Sequence, residues 1–248
     1  MSGHSKWATI KRKKGATDAA RGRLFTRLIK EITIAARNGS DPAGNPRLRL
    51  AVETARKNSM PMDNIKRAIQ RGAGELEGNA LEEIMYEGYG PGGIAVLIET
   101  VTDNRNRTVA EMRHLLSRNG GSMAEAGAVS WNFNRMGVIT IPRVGVDEDT
   151  LMMEALDAGA DDLKSDEENF EVLCPLETFE KVRKTLEDKK YSIASASVQY
   201  VPKTLVKIEQ SNVEPVLKFM EAIEEHDDVQ NVFSNFDIDE KALAQYSN

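Results

Sequence analysis

The chain predicts an α+β protein of three domains, and three observations carry that reading. Apolar residues recur at three-and-four spacing through residues 18–71, the signature of packed helices. From residue 86 onward, short β-branched runs alternate with amphipathic helical segments. Charge divides at the same place. Residues 1–72 hold 17 Lys and Arg against 5 Asp and Glu, a net of +12, whereas residues 73–248 hold 16 against 34, a net of −18. A basic end on an acidic body implies that one end meets a polyanion and the other does not. Nucleic acid is the first such partner, because Lys and Arg contacts to phosphate dominate affinity for it.

Bulk properties exclude several classes. No run approaches the ~18 apolar residues of a membrane span, and the basic N-terminus lacks the apolar stretch of a secretion signal. A single cysteine, Cys174, rules out an intramolecular disulfide and fits a reducing cytoplasm. It sits in the strand-like run 170–175 and reads as a small buried thiol.

Residues 1–17 lack apolar periodicity. They read either as a disordered basic tail or as an ordered arm. In the arm, Trp7 and Ile10 make a small apolar anchor under Lys11, Arg12, Lys13 and Lys14, or Trp7 stacks on a base. Residues 18 to about 38 predict a first helix, with Leu24, Phe25, Leu28, Ile29, Ile32, Ala35 and Ala36 on one face. Arg21, Arg23, Arg27, Lys30 and Arg37 lie off it, and Asn38-Gly39 is the stop. Asn45-Pro46 caps a second helix, with Leu48, Ala51, Val52 and Ala55 inward. Residues 62–71 predict a third, closed by Gly72. Lys66, Arg67, Gln70 and Arg71 form a stripe on it. Alone that stripe reads as a solvated face; joined to the arm it reads as a continuous basic surface.

Residues 73–85 predict a linker and a short acidic helix at 81–85. The run 86–93 contains Gly88 and Gly90 but opens into a strand at 94–101, so it reads as a turn and not as a phosphate-binding loop. Residues 102–107 predict a polar loop. Thr108 then caps a helix and Glu111 completes a capping box. Arg105 and Arg107 either meet an anion or partner, or pair with Asp103 and Glu111. Strands follow at 128–133, with Trp131 and Phe133 on one side, and at 136–141. Asp147 caps a helix at 148–158. Then come a strand at 170–174, a helix at 176–189, strands at 192–200 and 205–209, a helix at 213–225 and a strand at 229–235. This order parses most simply as two ferredoxin-like α/β domains, one inserted in the other; plain tandem domains are the alternative, but they leave the last β-α-β short of strands. The expected divisions are 1–79, 80–134 with 204–238, and 135–203.

No catalytic constellation assembles. His4, His114 and His226 lack metal-ligand spacing, and no G-x-S-x-G occurs. Asp161-Asp162 and Asp227-Asp228 read as solvated turn carboxylates. His114 reads as a satisfied structural histidine. No enzyme, metal, cofactor or small-molecule substrate is expected.

Several motifs carry a resemblance. These are Met1-Ser2-Gly3-His4-Ser5-Lys6-Trp7, the Lys11, Arg12, Lys13, Lys14 run, Arg23-Leu24-Phe25, Asn45-Pro46-Arg47-Leu48-Arg49, Met60-Pro61, Gly72-Ala73-Gly74, Tyr86-Glu87-Gly88-Tyr89 and Thr102-Asp103-Asn104-Arg105-Asn106-Arg107-Thr108. Together they resemble the YebC family over nearly the whole chain. The resemblance implies a cytoplasmic protein with a helical N-terminal domain and two ferredoxin-like domains. It implies a DNA-binding regulator of transcription. Mitochondrial relatives act as translational activators of cytochrome c oxidase and some bacterial members are linked to the ribosome, so the alternative is an RNA- or ribosome-associated translation activator. The family has no settled catalytic residues. The expected nucleic-acid contacts are Lys6, Trp7, Lys11, Arg12, Lys13, Lys14, Arg21, Arg23, Arg27, Lys66, Arg67 and Arg71. The acidic domains, repelled from phosphate within a Debye length of ~8–10 Å, are left for a protein partner.

Overall fold

In the computed structural model, residues 18–77, 80–239 and 242 are described. The arm at residues 1–17, with Lys6, Trp7, Lys11, Arg12, Lys13 and Lys14, lies outside them. Three helices open the described chain: α1 (Asp18–Ala36), α2 (Pro46–Lys57) and α3 (Met62–Gly72). Their apolar stripes meet in one core around Ile32, Ala35, Leu48, Ala55, Ile65 and Ala68. Ile32, Leu48 and Ile65 are buried to within 1%, each contributing about 1.5–3 kcal/mol.

The α1–α2 corner turns on Asn45. Its side-chain oxygen accepts from the Leu48 N–H at 3.1 Å, and its Nδ2 donates to the Ala35 and Gly39 carbonyls at 2.7 and 2.8 Å. One buried amide thus caps α2 and ties off α1. Pro46 takes the first helical turn, where its missing N–H costs nothing. At the other contact, α3 comes so close to α1 that a Cβ on Gly72 would stand 2.2 Å from the Thr33 carbonyl oxygen.

The remainder forms two four-stranded antiparallel sheets. The outer one has order β3-β1-β2-β9, from β1 (Glu82–Tyr89), β2 (Ala95–Thr102), β3 (Ser122–Ala124) and β9 (Val229–Ser234). Helices α4 (Arg105–Arg118) and α7 (Gln210–Glu224) cover one face, enclosing Val96, Ile98, Met112, Leu116, Leu217 and Met220. The inner sheet has order β5-β6-β4-β7, from β4 (Phe133–Pro142), β5 (Asp162–Ser165), β6 (Asn169–Cys174) and β7 (Ser195–Pro202). Helices α5 (Glu148–Ala158) and α6 (Leu176–Asp188) pack on it around Ile139, Leu151, Val172 and Val182. The inner chain order β-α-β-β-α-β is the ferredoxin-like one. The outer domain keeps the layers but places the N-terminal hairpin strand β1 in the middle. A short parallel pair, β8 (Val206–Lys207) and β10 (Phe236–Asp237), sits beside it.

Several expectations are corrected. Residues 81–85 form no acidic helix: from Glu82 they belong to β1, paired from Glu82↔Thr102 to Tyr89↔Ala95. Pairing with the apolar strand β2 overrides the local helix preference. Thr108 is not the cap of α4. Asn104 is, accepting from the Arg107 N–H at 3.1 Å, which puts Arg105 and Arg107 inside the helix. Residues 128–133 form no separate strand. A single 3-10 turn at Ser130–Asn132 leads into β4, and it separates exposed Trp131 from buried Phe133. The strand at 205–209 shrinks to β8, while β3 and β5 are additions too short to leave an alternation pattern. His114 is exposed. Cys174 is buried as expected, and burial pushes its thiol up to about 11.

We propose that the chain divides at 1–79, 80–134 with 204–238, and 135–203, with the inner unit extended back to Phe133, where β4 begins. A fragment of residues 133–203, which keeps all of β4, is expected to unfold cooperatively in urea by circular dichroism. A molten fragment overturns that division. Gly72→Ala is expected to destabilise the protein by about 1–3 kcal/mol in the same assay, because backbone and not a flexible side chain opposes the new methyl.

Candidate nucleic-acid interface

The +12 segment is not simply a cationic surface, because much of it is turned inward against the acidic domains. Lys30, near the middle of α1, donates to the Val101 carbonyl, the Asp227 carbonyl and Asp228 Oδ1, each at 2.9 Å. Those three acceptors match the three N–H bonds of an ammonium. Arg27 donates to the Glu224 carbonyl, and Arg23 pairs with Glu225 at 3.1 Å. Arg47 takes Glu31 in a bidentate grip at 2.8 and 3.0 Å and reaches Glu83 on β1. On the other side, Arg183 of α6 pairs with Glu53 of α2 at 3.4 Å, and Leu50 packs on the inner core.

Asp228 is the centre of this docking. Sequence reading treats it as a solvated turn carboxylate, yet it is 5% exposed. Its Oδ2 accepts from Arg107 at 3.0 Å and from the Thr108 hydroxyl at 2.8 Å, and its Oδ1 takes Lys30. Thr108 also bonds Thr102 Oγ1 at 2.8 Å. The run from Thr102 to Thr108 is therefore built to close around this carboxylate. Burial opposes the charge, but the hydrogen bonds from Lys30, Thr108 and Arg107 outweigh it and hold the Asp228 pKa at about 2.

The ligand atoms of Glu111, His226 and Asp228 lie within 4.8 Å of one another, a spacing compatible with a metal. Their chemistry is already complete without one. His226 Nδ1 accepts from the Asp228 N–H at 3.1 Å, and its Nε2 meets Glu111 at 3.0 Å. Lys30 and Arg107 already place two positive charges on Asp228.

The structure divides the expected contacts. Arg23 and Arg27 are engaged with Glu225 and Glu224. Arg105 and Arg107 are both exposed, and Arg107 pairs with Asp103 at 3.2 Å and with Asp228. Arg21 lies over the Phe25 ring, 5.5 Å from its centroid, and is exposed. Lys66, Arg67 and Arg71 are exposed on α3, and among the described residues no carboxylate pairs with them. Arg67 and Arg71 edge a shallow hollow of about 270 Å³ between α1 and α3, with Ile29, Asn64, Ala68, Leu76 and Glu77. Arg37, Arg56 and Lys57 add exposed cations on the same bundle. Lys30 and Asp228 are the residues sequence reading missed, since their partners lie far away in the chain.

Two family models match the chain: the TACO1/YebC protein N-terminal domain over residues 5–75, and the TACO1/YebC second and third domain over residues 81–236. A relative from Solibacter usitatus, named a probable transcriptional regulatory protein, is 58% identical with all of both chains covered. One of the same description from Chlorobaculum tepidum is 58% identical over 98% of each. The crystal structure of a conserved hypothetical protein from Aquifex aeolicus superimposes with a TM-score of 0.83 at 44% identity, covering 90% of this chain and 93% of that one.

Since the Asp228 pKa lies below the roughly 3.9 of a free aspartate, its contribution is complete above about pH 4 and is lost as pH falls toward about 2. Asp228→Asn is expected to lower stability by about 3 kcal/mol at pH 7, because it leaves Lys30 and Arg107 uncompensated. Urea melts should show the gap between variant and parent narrowing below pH 4.

Proposed function

The chain belongs to the TACO1/YebC family, and on that premise we propose that it is a non-enzymatic, cytoplasmic regulator of transcription that binds DNA through the outer face of its N-terminal bundle. The observation that carries this is the contrast between the two sides of the bundle. Arg23, Arg27 and Lys30 of α1 face carboxylates and carbonyls of the acidic domain, whereas Lys66, Arg67 and Arg71 of α3 face solvent. Relatives named probable transcriptional regulatory protein support the regulatory part.

Local architecture favours duplex DNA as the polyanion. α2, a four-residue turn with Ser59 at φ 59°, and α3 follow one another as helix, turn and helix. In such an arrangement the second helix enters the major groove. Arg67, Gln70 and Arg71 are residue types that read guanine and adenine edges, and Lys66 supplies a phosphate contact. Most of the acidic sheet surface, repelled by phosphate, is left to meet a protein partner. Folded RNA presents the same phosphates, so a translational role through RNA or the ribosome is the competing outcome of the test.

A competition at fixed, near-physiological salt sets promoter DNA against unrelated duplex and structured ribosomal RNA, with ribosome co-sedimentation in parallel. A promoter preference of about a thousandfold without co-sedimentation is expected. Ribosomal RNA winning, with co-sedimentation, overturns transcription in favour of translation. Lys66→Glu, Arg67→Glu and Arg71→Glu together should weaken all duplexes. The log–log salt slope should fall by about 0.9 for each phosphate no longer neutralised, and an unchanged slope removes α3 from the interface.

A further inference from the structure

At the far end of the β1–β2 hairpin from the α1 docking site, an exposed aromatic pair is held in place by buried polar groups. Glu87 of β1 is 7% exposed. Its carboxylate accepts from the backbone N–H groups of Gly127 and Val129 at 2.7 Å and of Ser130 at 2.9 Å. That clamps the 127–130 loop to the sheet. The next residues are clamped from the opposite side. The Lys203 N–H donates to the Asn132 carbonyl at 2.7 Å and the Thr204 N–H to Asn132 Oδ1 at 3.0 Å, while Asn132 Nδ2 donates to the Thr204 carbonyl at 3.1 Å.

Between the clamps stands Trp131, 66% exposed, with Tyr89 beside it at 42%. The Trp131 indole N–H and the Tyr89 hydroxyl both donate to the Ala128 carbonyl oxygen, at 3.0 and 3.3 Å. Both donors are taken up by the protein's own backbone, so what the pair offers outward is mainly ring face. The Lys203 ammonium donates to the Trp131 carbonyl at 2.7 Å and so fixes a cation at the backbone of the residue that carries the indole. A core has no use for an indole so exposed, and yet a buried carboxylate and a buried asparagine hold the loop that carries it.

We infer that Trp131 and Tyr89 form a stacking platform for an unpaired nucleobase, with Lys203 placed for the adjoining phosphate; this rests on the nucleic-acid reading above. Aromatic rings stack on any base without hydrogen-bond readout, which suits rings whose only donors are already used. A nearby ammonium suits phosphate. A protein partner is the rival occupant, and stacking spectroscopy separates the two.

The test uses the full-length protein carrying Trp7→Phe, which leaves Trp131 as its sole indole. Titration with single-stranded oligouridylate and with oligothymidylate is expected to quench Trp131 emission, and the two arms tell RNA from DNA. Trp131→Ala should weaken single-strand binding roughly tenfold and leave duplex binding and the melting temperature unchanged, with Trp131→Phe largely restoring it. Lys66→Glu, Arg67→Glu and Arg71→Glu should weaken both. Unchanged single-strand affinity in Trp131→Ala, or emission unmoved at saturation, overturns the platform while leaving the bundle reading intact. Equal loss for single strand and duplex with a lowered melting temperature also overturns it, in favour of a structural role. A parent protein that binds neither nucleic acid overturns the broader reading together with this one.

Discussion

The arrangement of the domains depends on one buried ionic contact, the Lys30–Asp228 pair at 2.9 Å. Side chains so little exposed need every hydrogen-bonding direction met, or desolvation outweighs attraction. Here the ammonium has three acceptors and the carboxylate has Lys30, Arg107 and Thr108. Because those groups come from α1, the end of β2, the start of α4 and the turn before β9, the contact forms only when all four are placed. It specifies one docking geometry for the bundle more than it adds net stability.

The same contact changes what the charge split means. A +12 segment beside a −18 body suggests a free cationic head on a repelling body. Instead, part of that charge is neutralised internally through Arg23, Lys30 and Arg47, and Arg27 is held by the Glu224 carbonyl. Among the described residues what faces outward is narrower: α3, Arg21 and the flanking Arg37, Arg56 and Lys57. This asymmetry sets one face of the bundle against its own acidic domain and leaves another open to solvent. Net charge by segment therefore overstates the surface available to a polyanion.

The bundle was legible in the sequence because its helices obey a local period and its corner is local too, with Asn45 reaching only Ala35, Gly39 and Leu48. Asp147 as the cap of α5 was legible for the same reason. β1 was not, since two consecutive glutamates look helical until β2 pairs with them. Asn104 is masked in the sequence by Thr108, which also has a cap-like neighbourhood; the Thr108 hydroxyl is instead drawn to Asp228, 120 residues away. Asp228 itself carried no signal at all. Its partners Lys30 and Arg107 are 198 and 121 residues distant, and a pair of aspartates in a turn ordinarily marks solvent. Glu87 was hidden likewise, its donors lying 40 or more residues downstream.

The placement of β9 against β2 orders events during synthesis. β2 is complete at Thr102, but its second neighbour begins at Val229. The inner sheet, with every strand between Phe133 and Pro202, can close while the outer one still lacks an edge. Chains emerge from the N-terminus and domains fold as units. The helical bundle is made first, yet it waits for Asp228 near the other end of the chain before it can dock. Until Asp228 and its neighbours are made, Arg23, Arg27 and Lys30 lack the acceptors they have in the folded chain, and that side of the bundle carries more open charge than in the finished protein.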